Sequence, residues 1–258
     1  MEPVIQIEQL RMSYGVQEVL RGIDLVIGRG EILGYLGPNG AGKTTTVRIL
    51  TGLIDEYTGS VSVCGLDVRS DPLGVKRRIG FVPEHAALYE QLTALEFLDL
   101  VSSLHGASPA ATRLKASGML ETLGLRPIEL ERRIETYSKG MRQKVLLVAG
   151  LLHDPEVLFL DEPLSGLDAN TALIVKEILQ ELRALGKTIF YCSHVLDVVE
   201  RTCDRIVILS DGRIVADGSF EALQQQRQGS SLERIFTELT SEGQQAAQAA
   251  EFVARLRS

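Results

Sequence analysis

Apolar residues change their spacing along this chain, and the changes divide it. From 4 to 10 and from 19 to 27 apolar and polar positions alternate, as in strands with one buried face. Shorter apolar runs of strand length follow at 31–36, 60–63 and 79–82, the last stopped by Pro83. From 84 to 153 the period becomes helical. Leu95, Leu98, Val101 and Ser102 share one face, Leu114, Met119 and Leu123 follow in a second segment, and a third, after Ser138, carries Val145, Leu146, Val148 and Ala149. Strand-like runs return at 157–160, 188–191 and 205–209, separated by helical patterns at 169–185 and 195–200. Strand, helix and strand in turn predict a parallel sheet with ligands at its carboxyl ends. The expected class is α/β: a core built from 1–83 and 154–228, an all-helical subdomain at 84–153, and a helical tail at 229–258. In the tail, Leu232, Ile235, Phe236 and Leu239 form one i, i+3, i+4, i+7 stripe, and Ala249, Phe252, Val253 and Leu256 form another. Both stripes are expected to pack on the core or on a second copy, since the tail lacks the strongly basic face of a membrane-surface helix.

Composition narrows the field. The 258 residues suffice for one large domain or two closely joined lobes. Lys+Arg of 27 against Asp+Glu of 34 leave a net charge of −7, which argues against a general nucleic-acid binder. Cys64, Cys192 and Cys203 lack metal-ligand spacing and predict buried thiols in a reducing compartment. Glu2 and Glu8 break any signal-peptide pattern, and no apolar run nears the roughly 18 residues that span a bilayer. The expectation is an intracellular protein that does not cross a membrane by itself.

The chemistry starts at Gly37-Pro38-Asn39-Gly40-Ala41-Gly42-Lys43-Thr44, a complete G-x-x-x-x-G-K-[ST] loop between a strand-length run and a helical stretch. Its glycines let successive backbone N–H groups turn inward around phosphate oxygens, and the following helix adds the positive end of its dipole. Lys43 would reach the β- and γ-phosphates, and the Thr44 hydroxyl would ligate Mg²⁺. The alternative, a Gly-rich turn that merely joins strand to helix, leaves the full octet unexplained. At 157–162 an apolar strand ends in two carboxylates. Beside the phosphate loop, Asp161 could hold Mg²⁺ through water and Glu162 could orient or deprotonate an attacking water. The competing reading of Glu162 is a surface carboxylate before Pro163. His194 ends another apolar strand, where an imidazole could donate to the γ-phosphate or serve structure alone. Tyr14, before Gly15, reads equally as an adenine-stacking ring or an edge-strand aromatic.

Together these motifs resemble the ATP-binding cassette (ABC) ATPases across residues 4–220. The resemblance implies a P-loop NTPase core with a mixed, mainly parallel sheet, an antiparallel β subdomain and the helical insert. It makes Tyr14 the adenine-stacking aromatic, Thr45 an α-phosphate contact, Glu162 the catalytic carboxylate and His194 the switch histidine. Ser165, Gly166, Leu167 and Asp168 are similar to the loop that crosses the dimer interface. Tyr137-Ser138-Lys139-Gly140-Met141-Arg142-Gln143 stands where the family hallmark, most often Leu-Ser-Gly-Gly-Gln, precedes a helix. Ser138 and Gly140 are retained and would serve the γ-phosphate of a nucleotide held by the partner cassette. Lys139 adds a cation near that interface, and Met141 removes an amide. Glu84 replaces the usual glutamine, keeping an oxygen for the metal or its water but losing the N–H₂ donor. The hallmark and Pro-Glu variants are similar to the exporter branch that handles drugs, sodium, polysaccharides and antibiotic peptides.

The resemblance thus implies an ATPase using ATP and Mg²⁺, paired as a homodimer or a paralogue heterodimer. Each site would join one chain's phosphate loop to the other's Ser138 segment. The partner would be a separate integral membrane subunit, met at the cytoplasmic face of the cell membrane through 85–92 and the helix from Thr93. No nucleic acid is expected. Soluble relatives that act on ribosomes or DNA usually carry paired cassettes with a charged linker, or a long coiled coil. This chain has one phosphate loop and no heptad array. Against a non-hydrolysing ATP sensor stand Glu162 and His194, both present.

Overall fold

The alternation at 4–10 and 19–27 becomes a long antiparallel hairpin. In the computed structural model, which describes residues 3–85, 88–227 and 229–240 with Phe252 and Arg255, β1 (Pro3–Tyr14) pairs with β2 (Gln17–Gly28). Gly15 opens the two-residue turn between them at φ 59°, a left-handed value suited to glycine. β3 (Ile32–Leu36) leaves for a second sheet, while β4 (Thr58–Val63) and β5 (Leu66–Asp67) complete the first in the order β2-β1-β4-β5. The second sheet adds β6 (Ile79–Val82), β7 (Val157–Asp161), β8 (Thr188–Cys192), β9 (Arg205–Ser210) and β10 (Arg213–Gly218). Its order is β10-β9-β3-β8-β7-β6, parallel throughout except for β9 with β10. Apolar spacing does not mark β10. Its signal is the Asp211-Gly212 pair, left-handed at φ 47° and 72°, which closes a second two-residue hairpin.

α1 (Lys43–Leu50) follows β3, and α2 (Pro72–Arg78) starts where Asp71 accepts from the Gly74 N–H at 2.8 Å. Between β6 and β7 come α3 (Ala94–Leu104), α4 (Pro109–Thr122), the short α5 (Pro127–Leu130), a 3₁₀ turn at Ile134–Thr136, and α6 (Lys139–Leu151). Thr93 and Glu96 cap α3 reciprocally, and α3 buries Ala94, Leu98 and Ser102. The second helical segment becomes α4, but not all of its apolar residues join the core. Ala116, Leu120 and Leu123 are buried, whereas Leu114 is 82% exposed. Two residues before Ala116, it lies about 200° round the helix. α7 (Ala169–Ala184) links β7 to β8, α8 (Leu196–Thr202) links β8 to β9, and α9 (Phe220–Gln226) and α10 (Leu232–Leu239) follow β10.

Apart from its edge strand β10, the main sheet is buried on both faces, which is why its strands read as unbroken apolar runs. Leu36, Leu158, Ile189 and Ile206 face the core that includes α3, α6 and α7; Leu33, Tyr35, Phe159 and Phe190 face the antiparallel sheet and α1. Each such side chain contributes about 1.5–3 kcal/mol by leaving water. The sheet is therefore the firm element from which the site loops project. Leu232 and Ile235 of α10 are buried in the first core, with Phe236 and Leu239 packed against it, so the first tail stripe rests on the core. Of the second stripe, Phe252 is exposed, and Ala249, Val253 and Leu256 lie outside the described residues. Cys64 and Cys192 are buried free thiols and Cys203 is half-buried. Burial pushes the Cys64 thiol up to about 11 and Cys192 well above its usual range, which suits packing rather than reactivity.

Two glycines let α6 lie hard against β6. A Cβ on Gly80 would fall on the Gly150 carbonyl, and one on Gly150 would stand 2.9 Å from Val82 Cγ2. Just beyond, His153 Nε2 meets the Ile79 carbonyl at 2.8 Å, and its ring stacks on His105 with centroids 3.7 Å apart. Among the described residues no helix is long and apolar enough to cross a membrane.

Candidate active site

The phosphate loop is the turn between β3 and α1, and its neighbours dictate its glycines. A Cβ on Gly37 would stand 2.5 Å from the Leu209 carbonyl of β9, and one on Gly42 2.6 Å from Leu20 Cδ2 of β2. Gly42 is also left-handed, at φ 110°, and begins α1 with no side-chain cap. No side chain then competes with an anion for the first N–H groups of that helix. Between them the Ala41 N–H closes onto the Pro38 carbonyl at 3.2 Å. Lys43 folds over the loop, its Nζ donating to the carbonyls of Gly37 at 2.5 Å and Pro38 at 3.1 Å.

Asp161 ends β7 beside this loop, where Thr44 Oγ1 donates to its Oδ2 at 3.4 Å. Burial, then Glu84, then Glu162 hold the buried Asp161 carboxyl above the usual carboxylate range, against a pull down from Thr44 and Lys43. Carboxylates crowded this way carry unbalanced negative charge on oxygen donors, which fits a hard divalent cation. Among the described residues no three His, Cys, Asp or Glu side chains form a closed metal cage. Mg²⁺ needs none, because it takes much of its shell from water and phosphate.

Glu162 follows at φ 50°, a left-handed conformation that costs a residue with a Cβ about 1–2 kcal/mol. Contacts from the end of β8 hold it there. Its N–H donates to the Cys192 carbonyl at 3.0 Å, and Ser193 Oγ donates to its Oε2 at 3.0 Å. Its Oε1 accepts the His194 N–H at 2.8 Å and lies 2.7 Å from His194 Nδ1. The two residues read separately from sequence are thus joined directly. The His194 side chain is otherwise open, at 73% exposure.

These groups line a cleft of about 790 Å³, wide enough for a nucleotide. Tyr14, half exposed, and Thr45 line it too, as does Glu84. The remaining wall is the part that sequence reasoning misses: Gln17 and Val19 of β2, Leu196, and Glu233, Phe236 and Thr237 of α10. Their one signal is the i, i+3, i+4 spacing of 233, 236 and 237, next to the buried stripe. Ser138, Gly140 and the loop of Ser165, Gly166, Leu167 and Asp168 do not line the cleft. Ser138 is exposed and caps α6, its Oγ accepting from the Met141 N–H at 3.3 Å. Asp168 caps α7; hydrogen bonds from the Thr171 hydroxyl at 2.6 Å and N–H at 2.9 Å hold its carboxyl at about 2.

Known proteins are similar to this chain in sequence and in fold. The profile of the ABC transporter family matches residues 20–165. An ABC transporter ATP-binding protein of Nostoc sp. is 42% identical over 208 residues, 79% of this chain but 61% of its own length, so this chain spans less than two thirds of that relative. The linearmycin resistance ATP-binding protein of Bacillus subtilis is 36% identical over 216 residues, 84% of this chain and 69% of its own. Among solved structures, an ATP-binding subunit of an ABC transporter superposes with a TM-score of 0.86 at 34% identity, over 92% of this chain and 99% of that one. A dimeric bacterial ABC transporter cassette gives 0.78 at 25% identity, over 83% and 98%. Likeness of this extent, in sequence and in the sheet that carries the phosphate loop, makes this chain a member of the ABC transporter family, one of its ATP-binding cassettes.

Proposed function

We propose that this cassette hydrolyses ATP in pairs, as the motor of a transporter whose membrane subunit is a separate chain. One observation carries the reading. The groups suited to hold a triphosphate share one cleft, whereas Ser138 and Gly140 stand outside it at the start of α6. A second cassette presenting that helix end to the cleft would complete the site with a hydroxyl and backbone N–H groups at the γ-phosphate.

ATP would enter with its adenine on Tyr14 and its α-phosphate against Thr45. Lys43 exchanges the Gly37 and Pro38 carbonyls for β- and γ-phosphate oxygens. Thr44, Asp161 and Glu84 would hold Mg²⁺, which supplies neutralisation of the phosphate charge. Glu162 orients a water and takes its proton as the oxygen attacks the γ-phosphorus and the bond to ADP breaks. His194 turns from Glu162 Oε1 to a γ-phosphate oxygen, freeing the carboxylate for the water and setting a donor where charge grows. The loop of Ser165, Gly166, Leu167 and Asp168 would lie between the paired cassettes.

The cassette would sit on the cytoplasmic face of the membrane, held by its partner, with 84–153 as the arm that carries nucleotide state outward. Residues 85–92 and the start of α3 are the docking surface of this reading; 86 and 87 lie outside the described residues. A cavity of about 310 Å³ lined by Leu53, Phe81, Phe97 and Val101 would seat a short apolar helix. Export is favoured by relatives named for linearmycin and daunorubicin resistance and for Nod factor export.

Two inactive variants test the paired site. Lys43→Ala removes a phosphate ligand and Ser138→Arg blocks the facing helix end, so each alone should hydrolyse no ATP. Mixed, they should regain turnover, because a mixed pair contains one site with both native residues. A mixture as inactive as its components would sink the paired reading.

A further inference from the structure

The lysine that departs from the usual hallmark has a partner. Lys139 Nζ donates to Ser165 Oγ at 2.7 Å. Beside it two glycines touch: a Cβ on Gly140 would stand 2.5 Å from the Gly166 carbonyl, and one on Gly166 2.9 Å from Lys139 Cγ. One turn along α6, the buried Gln143 Nε2 donates to the Pro163 carbonyl at 3.1 Å, and Lys144 Nζ lies 3.8 Å from Asp168 Oδ2. Successive residues of α6 are therefore fastened to the segment 163–168, which leaves directly from Glu162.

We infer, on the reading of this chain as one of a pair of ATP-hydrolysing cassettes, that Lys139 is a positioning residue coupling the two sites of the pair. The start of α6 serves the nucleotide of the partner chain, while Glu162 serves its own. The fastening joins the two within one chain. When α6 shifts onto one nucleotide, it draws on the loop that hangs from the base of the other site. The Gly140–Gly166 contact is steric and resists only compression. The Lys139–Ser165 bond is directional and charge-assisted, so it also resists separation. A glycine at 139, as in the commonest hallmark, would leave the compression contact alone. Because the pair is exposed, its loss should alter coupling between sites more than folding.

The test is steady-state hydrolysis by the full chain as a function of ATP concentration, for wild type, K139M, K139R, S165A and the K139M/S165A double variant. Nucleotide binding and the melting temperature of each are measured alongside. Wild type should give a Hill coefficient approaching about 2, the number of sites in a pair. K139M and S165A should each bring it towards about 1, with binding and melting unchanged, and the double variant should fall no further than either. K139R keeps a cationic donor and should restore cooperativity. Should K139M fold poorly, S165A removes a single hydroxyl and carries the same expectation. Wild-type cooperativity in K139M or in S165A overturns the inference. So does an impaired K139M beside a normal S165A, which would put Lys139 on the nucleotide rather than on the loop. A wild type that hydrolyses no ATP would fail the proposed function itself, and the inference would fall with it.

Discussion

The cleft and the start of α6 are built to opposite rules. In the cleft, Glu162 is held left-handed by contacts from the end of β8, Lys43 is bonded to two carbonyls, and Asp161 is buried among other carboxylates. At the start of α6, Ser138 and Lys139 are exposed and fixed by a helix cap, a glycine contact and one side-chain bond. Groups that meet a reacting atom gain from a geometry set in advance. A group expected to approach and withdraw in every cycle gains from an exposed position free of stored strain. Strain and unbalanced charge sit where bonds are expected to break, and the surface expected to open and close carries little of either.

The widest break between these regions should come from Glu162→Gln. It removes the proposed base and leaves the phosphate loop whole, so turnover should fall by at least about 10²-fold while ATP still binds. Single-turnover hydrolysis beside a binding isotherm checks this, and near-normal turnover would take Glu162 out of the role.

Asp161 sharpens the contrast through stability. Its folded pKa is raised, so the folded state holds the proton more tightly than the unfolded chain, and the ionised carboxylate opposes folding. That opposition is absent in acid and grows as pH rises past the ordinary carboxylate range. Asp161→Asn keeps an acceptor for Thr44 without the charge. It should melt about 2–4 °C above wild type at neutral pH without Mg²⁺, the gap closing in acid. Calorimetry showing no rise would mean that the charge is already balanced.

The smallest effect belongs to the far end of α6. Burial pushes His105 and His153 below the usual imidazole range, with His153 adding to the shift of His105. The sign is reversed here: the unfolded chain takes up protons first, so stability is full above about pH 6.5 and declines as pH falls below it. His105→Phe keeps a ring for the stack and cannot be protonated, so its melting temperature should fall less than that of wild type on acidification. Parallel pH profiles of the two would remove this account.

The cleft is legible in the sequence where local sterics dictate it. Gly37 and Gly42 are required by β9 and β2, and Asp161 ends a strand that is apolar because both its faces are covered. What escapes depends on neighbours distant in sequence. The bond between Glu162 and His194 exists because β7 and β8 are adjacent in the sheet. The wall formed by Glu233, Phe236 and Thr237 exists because the apolar stripe of α10 docks on the core and turns its flank to the nucleotide cleft. β10 escapes because exposure on alternate residues leaves it no apolar run, although its Asp-Gly turn is plain. Leu114 misleads for a different reason: α4 carries leucines on more than one side, and packing alone selects the face.

The contact between Gly80 and Gly150 gives α6 a mechanical character. Ser138 lies 12 residues before Gly150 in the chain, a distance of about 18 Å along a helix. A rod clamped near one end magnifies motion at the other. A pivot of about 5° at the clamp would carry Ser138 about 1.6 Å, enough to turn a sound hydrogen bond into none. Two residues without side chains would thus set the fulcrum of α6 in the proposed pair.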